Sequence, residues 1–249
     1  MNRSKLISIG EAAKLLGVSI DTLRRWDKIG RLQSVRSSPR GYRFYPLSAI
    51  EQLLQDQYTI AREWAVSSKG FELVSDVYCP TRDVFQVRLE TLQSRLSRIF
   101  PLDMVSLVIA IAGEIGNNSF DHNLGNWPDI IGIFFSFDAG SKAIILADRG
   151  QGILTTLKRV RPELTNAGEA LKVAFTETIS GRLPEARGNG LKFVRSVIID
   201  NPFSLYFQTG DAYLYLKQND KDVLIQQADT AIRGCFASIN FRGLKAVRS

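Results

Sequence analysis

The sequence predicts an α+β protein made of two unlike parts, a small helical unit at the amino terminus and a larger unit of helices and clustered strands. Three observations support this fold class. Helical patterns in the first 57 residues are short and separated by glycine and proline. The strand patterns after residue 102 are joined by hairpin turns. The composition of the 249 residues is globular, with 45% hydrophobic and 23% charged residues, which excludes a disordered or fibrous chain.

Positive charge is concentrated near the amino terminus. The formal net charge is +7, and residues 1–60 hold 10 Lys and Arg against 5 Asp and Glu, whereas the remaining residues hold 22 against 20. A basic end on a nearly neutral body indicates a polyanion-binding module attached to another unit.

The low numbers of cysteine and histidine exclude several classes of protein. Two cysteines and one histidine are too few for a disulfide framework or a zinc site built from those residues. The amino terminus lacks the apolar segment of a secretory signal, and no apolar run is long enough to span a membrane. We therefore expect a cytoplasmic protein without a membrane partner.

The first unit has the pattern of a helix-turn-helix. Apolar spacing predicts a helix over Ile9–Leu16, and Ser19 is a suitable N-cap for a second helix that ends at Gly30. Two short helices joined by a glycine-containing turn are typical of this motif. The second helix carries side chains that we expect to reach bases and phosphates in a major groove: Thr22, Arg24, Arg25 and Lys28.

A basic hairpin follows the second helix. Strands are predicted at Gln33–Arg36 and Tyr42–Tyr45, and a further helix is predicted at Leu47–Leu54 after Pro46. Such a hairpin can lie against the sugar-phosphate backbone as a wing. We predict DNA contacts from Arg36, Arg40, Tyr42 and Arg43.

These elements closely resemble the winged helix-turn-helix of the MerR family and its excisionase-like relatives. The segments EAAKLLGVS, TLRRWDKIG and RGYRFY carry the resemblance, which covers nearly all of residues 6–55. It implies that the unit binds double-stranded DNA. The long dimerisation coiled coil of that family does not follow directly, and the helix predicted at Asp83–Phe100 is a short candidate for that role.

The chain divides into three predicted segments. Residues 1–57 are the DNA-binding unit, residues 58–101 are a connector with one helix, and residues 102–249 are the larger unit. Within the larger unit, helical spacing places Glu114, Asn118 and Asp121 on one face of an amphipathic helix. A carboxylate there can activate water, and an amide oxygen is a ligand that suits Mg²⁺.

Glycine-rich turns follow this helix. Strands predicted at Ile130–Phe137 and Ala143–Ala147 form a hairpin that ends in Asp148–Ile153, where an Asp stands beside Gly150 and Gly152. A second glycine-rich turn, Arg187–Leu191, opens a predicted helix. Free backbone N–H groups at such a turn attract phosphates.

Together these segments resemble the GHKL ATPase superfamily, which includes gyrase B subunits and sensor histidine kinases. EIGNNSFD, DRGQGI and GNGL look like its three conserved boxes, over about residues 102–242. The resemblance implies a two-layer α/β sandwich of the Bergerat ATP-binding type. It implies Glu114 as the catalytic base and Asn118 as the Mg²⁺ ligand. It implies further contacts to ATP from Asp121, Asp148, Gly150, Gly152, Gly188, Asn189, Gly190, Leu191 and Cys235.

Three hypotheses about function follow from these resemblances. The first is a regulator in which binding or slow hydrolysis of Mg-ATP modulates the DNA-binding unit or the surface for a protein partner or a second copy. The alternative is an anti-sigma-like protein serine kinase or partner-switching protein whose DNA-binding unit serves autoregulation. A third is a scaffold that no longer hydrolyses ATP.

Overall fold

The computed structural model describes residues 5–16, 18–28, 30, 32–36, 38, 41–138, 140–177 and 190–246. Its elements follow one another along the chain: β1 (Leu6–Ser8), α1 (Ile9–Leu16), α2 (Ile20–Lys28), β2 (Val35–Arg36), β3 (Arg43–Pro46), α3 (Leu47–Val66), β4 (Tyr78–Cys79), α4 (Arg82–Leu96), α5 (Leu102–Asn123), β5 (Ile133–Asp138), β6 (Ala143–Asp148), α6 (Gly152–Leu157), α7 (Ala167–Thr176), α8 (Gly190–Asp200), β7 (Ser204–Thr209), β8 (Ala212–Lys217), β9 (Ile225–Gln227) and β10 (Cys235–Asn240).

The amino-terminal unit combines α1 and α2 with a small antiparallel sheet of order β1-β3-β2. Ser8 and Glu11 form a reciprocal capping box at the start of α1, since the Ser8 N–H donates to Glu11 Oε2 and the Glu11 N–H donates to Ser8 Oγ. Ser19 Oγ accepts from the Thr22 N–H at 3.0 Å and caps α2 as predicted. Leu23, Trp26 and Tyr45 are buried in the core of the unit.

The described residues of the larger unit form an antiparallel sheet of seven strands in the order β4-β5-β6-β10-β7-β8-β9. The hairpins β5–β6 and β7–β8 lie on either side of β10, which pairs with both β6 and β7. The predicted α+β class is confirmed at this level, because an amino-terminal helix-turn-helix region precedes a unit of helices and antiparallel strands.

Helices cover both faces of this sheet. Alternate residues of the strands, such as Ile144 and Leu146 on β6, pack with α4, α5, α7 and α8 in the main core. Their neighbours Ile145 and Ala147 face the other way and pack with Trp64 of α3. The structure therefore adds α3 as a third layer to the two layers that the sequence predicted.

The helix α3 crosses the predicted boundary at residue 57 without interruption. It begins in the amino-terminal unit and ends at Val66 on the large sheet, whereas the sequence predicted a helix only to Leu54. Its Arg62 donates to Gln208 Oε1 at 2.9 Å, and Gln208 is fully buried on β7. One continuous helix thus joins the two units. The three predicted segments remain a prediction.

A buried arginine fixes the carboxyl end of α3 to the sheet. The Arg149 side chain, directly after β6, is 0% exposed and forms a salt bridge with Asp129 at 2.6 Å. Its guanidinium also donates to the carbonyl of Trp64 and lies 5.9 Å from the centre of the Trp64 ring. Arg233, which precedes β10, bonds to the same carboxylate at 3.2 Å. These contacts hold three distant segments of the chain together.

No helix in the described part of the chain combines the length and the apolar character needed to cross a membrane.

Replacement of Arg149 should destabilise the fold strongly. Arg149→Met leaves the Asp129 carboxylate without its main partner in a largely desolvated place, and we expect a loss of about 3–5 kcal/mol in the free energy of unfolding. Urea denaturation followed by circular dichroism measures this loss. Arg233→Met is the matched control, because its side chain is 41% exposed and contacts the same carboxylate, and should lower the free energy by about 1 kcal/mol or less. Similar losses of unfolding free energy in both variants would contradict the special role of Arg149 in holding these segments together.

Candidate functional site

The first candidate site is the exposed surface of α2 and the neighbouring hairpin. Arg24 and Lys28 lie one turn apart on α2 and are exposed, and Arg24 pairs with Asp21 of the same helix at 2.8 Å. Tyr42 is 86% exposed beside β3. These three predicted DNA contacts therefore lie on the solvent surface of the helix and the wing.

Asp27 joins α2 to the hairpin. Its carboxylate accepts hydrogen bonds from Arg43 Nε at 2.9 Å, from both the N–H and the hydroxyl of Ser34, and from Arg36. Burial alone would raise the pKa of Asp27, but the bonds from Arg43, Ser34 and Arg36 hold it well below its usual range. Arg36 and Arg43 thus have a structural role in holding the wing against α2, which the sequence pattern did not show.

Two other predicted DNA contacts, Arg25 and Thr22, bond to groups of the protein itself. Arg25 bonds at 2.9 Å to both carboxylate oxygens of Asp76, a residue that lies just before β4. Thr22 is half-buried, and its hydroxyl lies 2.9 Å from that of Ser19. The predicted contact Arg40 lies outside the described residues. The set of DNA-contacting residues remains a prediction.

The second candidate site is a polar cluster around Asp148 at the end of β6. Its Oδ2 accepts from the Ser119 hydroxyl at 2.7 Å, and its Oδ1 accepts from the Gly150 N–H at 2.8 Å. Asn123, near the end of α5, accepts from the Gln151 N–H at 2.8 Å. Thr209 at the end of β7 accepts from the Ile153 N–H and lies 3.1 Å from the Gly234 carbonyl. The structure brings these groups together from four segments.

The cluster perturbs the acids within it. Burial raises the pKa of Asp148 to about 6, although the bonds from Ser119, Gly150 and Cys235 act in the opposite direction. Burial and the nearby Asp148 carboxylate raise the pKa of Cys235 well above its usual range. Burial likewise raises the pKa of Cys79 to about 11. Both thiols are therefore protonated at neutral pH and are poor nucleophiles.

Two glycines that were predicted to contact ATP serve close packing inside the protein. A Cβ atom on Gly150 would overlap the amide group of Asn123, and a Cβ atom on Gly190 would overlap the carboxylate of Glu114. Glycine at these positions lets α5 approach the turn after β6 and the start of α8. The spaces beside these glycines are therefore filled by the protein's own side chains.

The remaining residues that were predicted to contact ATP lie at several other places in the fold. Asn118 is half-buried on α5, and Leu191 on α8 packs at the edge of the main core. Gly152 precedes the contact between Ile153 and Thr209. Asp121 instead forms a salt bridge with Arg82 at the start of α4. Gly188 and Asn189 lie outside the described residues.

The sequence interpretation missed Ser119, Asn123 and Thr209 as members of the cluster. Asn123 lies one turn after Ser119 on α5, so its helical spacing was a usable signal. Thr209 gave no such signal, because its position depends on the pairing of β7 with β10. Among the described residues, no group of three or more His, Cys, Asp or Glu side chains is placed to hold a metal ion.

Comparison with known proteins supports the first of the two resemblances. The family model described as "MerR family regulatory protein" matches residues 8–45, which include α1, α2 and the hairpin. This part of the chain is a MerR-family helix-turn-helix region. Its match agrees with the capped helices and the wing described above.

A second comparison relates most of the chain to an enzyme. The Type II methyltransferase M.Eco47II of Escherichia coli is 25% identical over 218 residues, which cover 80% of this chain and 50% of the methyltransferase. The chain thus spans about half the length of this curated relative. Because only a fifth of the chain lies outside the match, the match includes most of residues 102–249.

This relationship corrects the functional prediction. The prediction of a regulator that depends on Mg-ATP is wrong. The relative whose match includes most of the segment assigned to ATP is a methyltransferase, and no comparison supports a GHKL ATPase domain. The predicted cofactors ATP and Mg²⁺ are wrong for the same reason, and the relative points to S-adenosylmethionine instead. The kinase alternative depended on the same ATP site.

The raised pKa of Asp148 predicts a characteristic dependence of stability on pH. The folded protein holds the Asp148 proton more tightly than the unfolded chain, whose ordinary pKa is 3.8. The contribution of Asp148 to the free energy of unfolding should therefore fall as pH rises from about 4 to about 6, by about 3 kcal/mol. Urea denaturation at several pH values measures this decline, which Asp148→Asn should remove.

Ser119→Ala provides a control in the opposite direction. It removes a hydrogen bond that lowers the pKa of Asp148, so the decline should extend to higher pH. A wild-type profile that matches that of Asp148→Asn would contradict the raised pKa.

Proposed function

We propose that this chain recognises duplex DNA through its MerR-type winged unit and serves a DNA-methylating protein or system. The observation that carries the proposal is the match of residues 8–45 to the MerR family together with the exposed basic surface of α2 in that segment. The methyltransferase relative supports the link to methylation.

The geometry of the winged unit supports a division of roles among its basic residues. Arg24 and Lys28 are exposed on one side of α2, and we propose that this side enters the major groove. Tyr42 on the exposed wing would lie against the sugar-phosphate backbone. Arg36 and Arg43 share the carboxylate of Asp27, so their main contribution is to hold the wing in its orientation.

S-adenosylmethionine does not fit the described polar cluster. Its adenosyl amine would need an acceptor that a ligand can reach, but Asp148 is only 2% exposed and is bonded within the protein to Ser119 and Gly150. Asn123 and Glu114 fill the spaces beside Gly150 and Gly190. We therefore derive no methyl-transfer step from these residues and assign DNA recognition to the chain.

Several finer predictions remain proposals. Residues 102–249 are proposed to form a separate unit whose backbone topology is that of a Bergerat-type sandwich. This proposal does not include the nucleotide that the resemblance implied. A protein partner or a second copy of the chain also remains a prediction. The unit that recognises DNA is proposed to be residues 1–57, which include the first turns of α3.

Binding to DNA should be strongly dependent on salt. For about five phosphate contacts, the logarithm of the association constant should fall with the logarithm of the KCl concentration with a slope of roughly −4 to −5. Fluorescence anisotropy of a labelled 30-base-pair duplex, titrated between 50 and 200 mM KCl, measures the slope. The double variant Arg24→Ala, Lys28→Ala should make the slope shallower by about 2, because each lost phosphate contact contributes roughly 0.9.

Lys172→Ala is the matched control for loss of charge. Lys172 is exposed on α7 in the larger unit, away from the winged unit, so this variant should keep the wild-type slope. Absence of binding at 50 mM KCl, or an equal effect of all three substitutions, would overturn the proposed DNA-binding surface.

Methyl transfer gives a separate measurement. With tritiated S-adenosylmethionine and duplex DNA, we expect the chain alone to incorporate no more label into DNA than a heat-denatured sample. This expectation follows from the filled spaces around Asp148. Incorporation above that level would show that the chain catalyses methylation and would contradict the assignment of recognition alone.

A further inference from the structure

A salt bridge joins α2 to the larger unit. One terminal nitrogen of Arg25 donates to both carboxylate oxygens of Asp76, each at 2.9 Å. Hydrogen bonds between two charged groups are stronger than those between neutral groups. Asp76 lies outside residues 8–45, the segment that matches the MerR family. An acid from outside that segment thus holds a basic side chain within it.

Arg25 lies next to the side chains of α2 that we propose to enter the major groove. It directly follows Arg24 and stands three residues before Lys28, and residues three apart are neighbours on the surface of a helix. The Arg25 side chain is 54% exposed, so it lies within reach of a duplex that contacts Arg24 and Lys28. If Arg25 were released from Asp76, α2 would present a third cation to the DNA.

The backbone around Asp76 is fixed to the larger unit. Arg88 of α4 donates to the carbonyl oxygen of Asp76 at 3.0 Å and also to that of Ser75. The carbonyl of the next residue, Val77, accepts from the Phe135 N–H of β5 at 2.8 Å. The Asp76 side chain is only 22% exposed, and ion pairs that are partly buried are screened less by salt than exposed ones. Asp76 therefore presents its carboxylate to α2 from a fixed position.

The salt bridge lies beside a gap between the two units. A cavity of about 310 Å³ is present there, and its walls include Thr22 of α2 and Asp76 itself. Loss of an ion pair at the rim of a cavity removes little packed apolar surface, and partly exposed pairs contribute little to stability. We therefore expect that substitution of Arg25 or Asp76 changes the charge of this region and leaves the fold intact.

We propose that Asp76 withholds Arg25 from DNA and thereby limits the affinity of the winged unit for a duplex. This inference rests on the proposed binding of DNA by α2. In the complex of the wild-type chain with DNA, Arg24 and Lys28 contact the duplex while Arg25 stays bonded to Asp76. Removal of the Asp76 charge releases Arg25 to a phosphate and adds one ionic contact. The larger unit thus determines how many cations of α2 are available to DNA.

Asp76→Asn tests the proposal in the anisotropy titration of the full chain with the labelled 30-base-pair duplex. At 100 mM KCl it should tighten binding about 3-fold, which is the scale of one partly exposed ion pair. The slope against the logarithm of the KCl concentration should become steeper by roughly 0.9, because one more phosphate is neutralised. Asp76→Ala also lacks the carboxylate and should give the same gain, so the test does not depend on the folding of a single variant.

Arg25→Gln distinguishes the release of Arg25 from simple repulsion between Asp76 and phosphate. In the wild-type background it should change the affinity less than about 2-fold, because Arg25 does not contact DNA there. In the Asp76→Asn background it should remove the whole gain of about 3-fold and restore the wild-type slope. Asp222→Asn is the matched control for the change in charge, because Asp222 is exposed between β8 and β9, and it should keep the wild-type affinity and slope.

The possible failures of this inference and of the proposed function are separable. Binding by the wild-type chain that neither Asp76 variant tightens would overturn the restraint and leave DNA binding in place. An equal cost of Arg25→Gln in both backgrounds would also overturn it, because Asp76 would then act only as a nearby negative charge. Absence of binding at 50 mM KCl by the wild-type chain and by both Asp76 variants would instead overturn the binding of DNA itself.

Discussion

The buried guanidinium of Arg149 is the interaction on which the arrangement of the two units depends. It contacts Asp129, the carbonyl of Trp64 and the Trp64 ring, and so joins the loop before β5, the end of β6 and the end of α3. A fully buried charge is stable only when its donors are matched by acceptors, which restricts these segments to one relative position. The winged unit inherits that position, because α3 begins within it.

A second polar contact determines how the DNA-binding helix is presented. Arg25 is bonded to Asp76 beside the sheet, whereas Arg24 and Lys28 are exposed on α2 next to it. The larger unit therefore holds one basic side chain of the recognition helix and leaves its two neighbours exposed to solvent. Asp27 completes the arrangement, because it uses two arginines of the wing to fix the hairpin against the same helix.

The sequence predicted the parts of the fold that depend on local chemistry. The Ser19 cap, the glycine after α2 and the hairpin of β5 and β6 are signals within a few residues, and the structure contains all three elements. The full length of α3 depends on Trp64 and Ala65 packing against a sheet that forms far along the chain. The glycines after β6 and before α8 illustrate a different limit. A glycine that admits a ligand and a glycine that admits a neighbouring helix have the same local pattern, so the ATP site was an incorrect interpretation of real packing constraints.

The continuity of α3 limits how far the DNA-binding unit can be treated as an interchangeable part. A fragment that ended at residue 57 would keep the wing but would cut α3 in the middle, and the larger unit would keep Ala61, Trp64 and Ala65, which cover its sheet, only on the short remainder of that helix. Evolution by simple exchange of one DNA-binding unit for another is therefore restricted in this architecture. A replacement unit would have to end in a helix of matching phase and length, so that its last turns present an equivalent surface to β6 and β10.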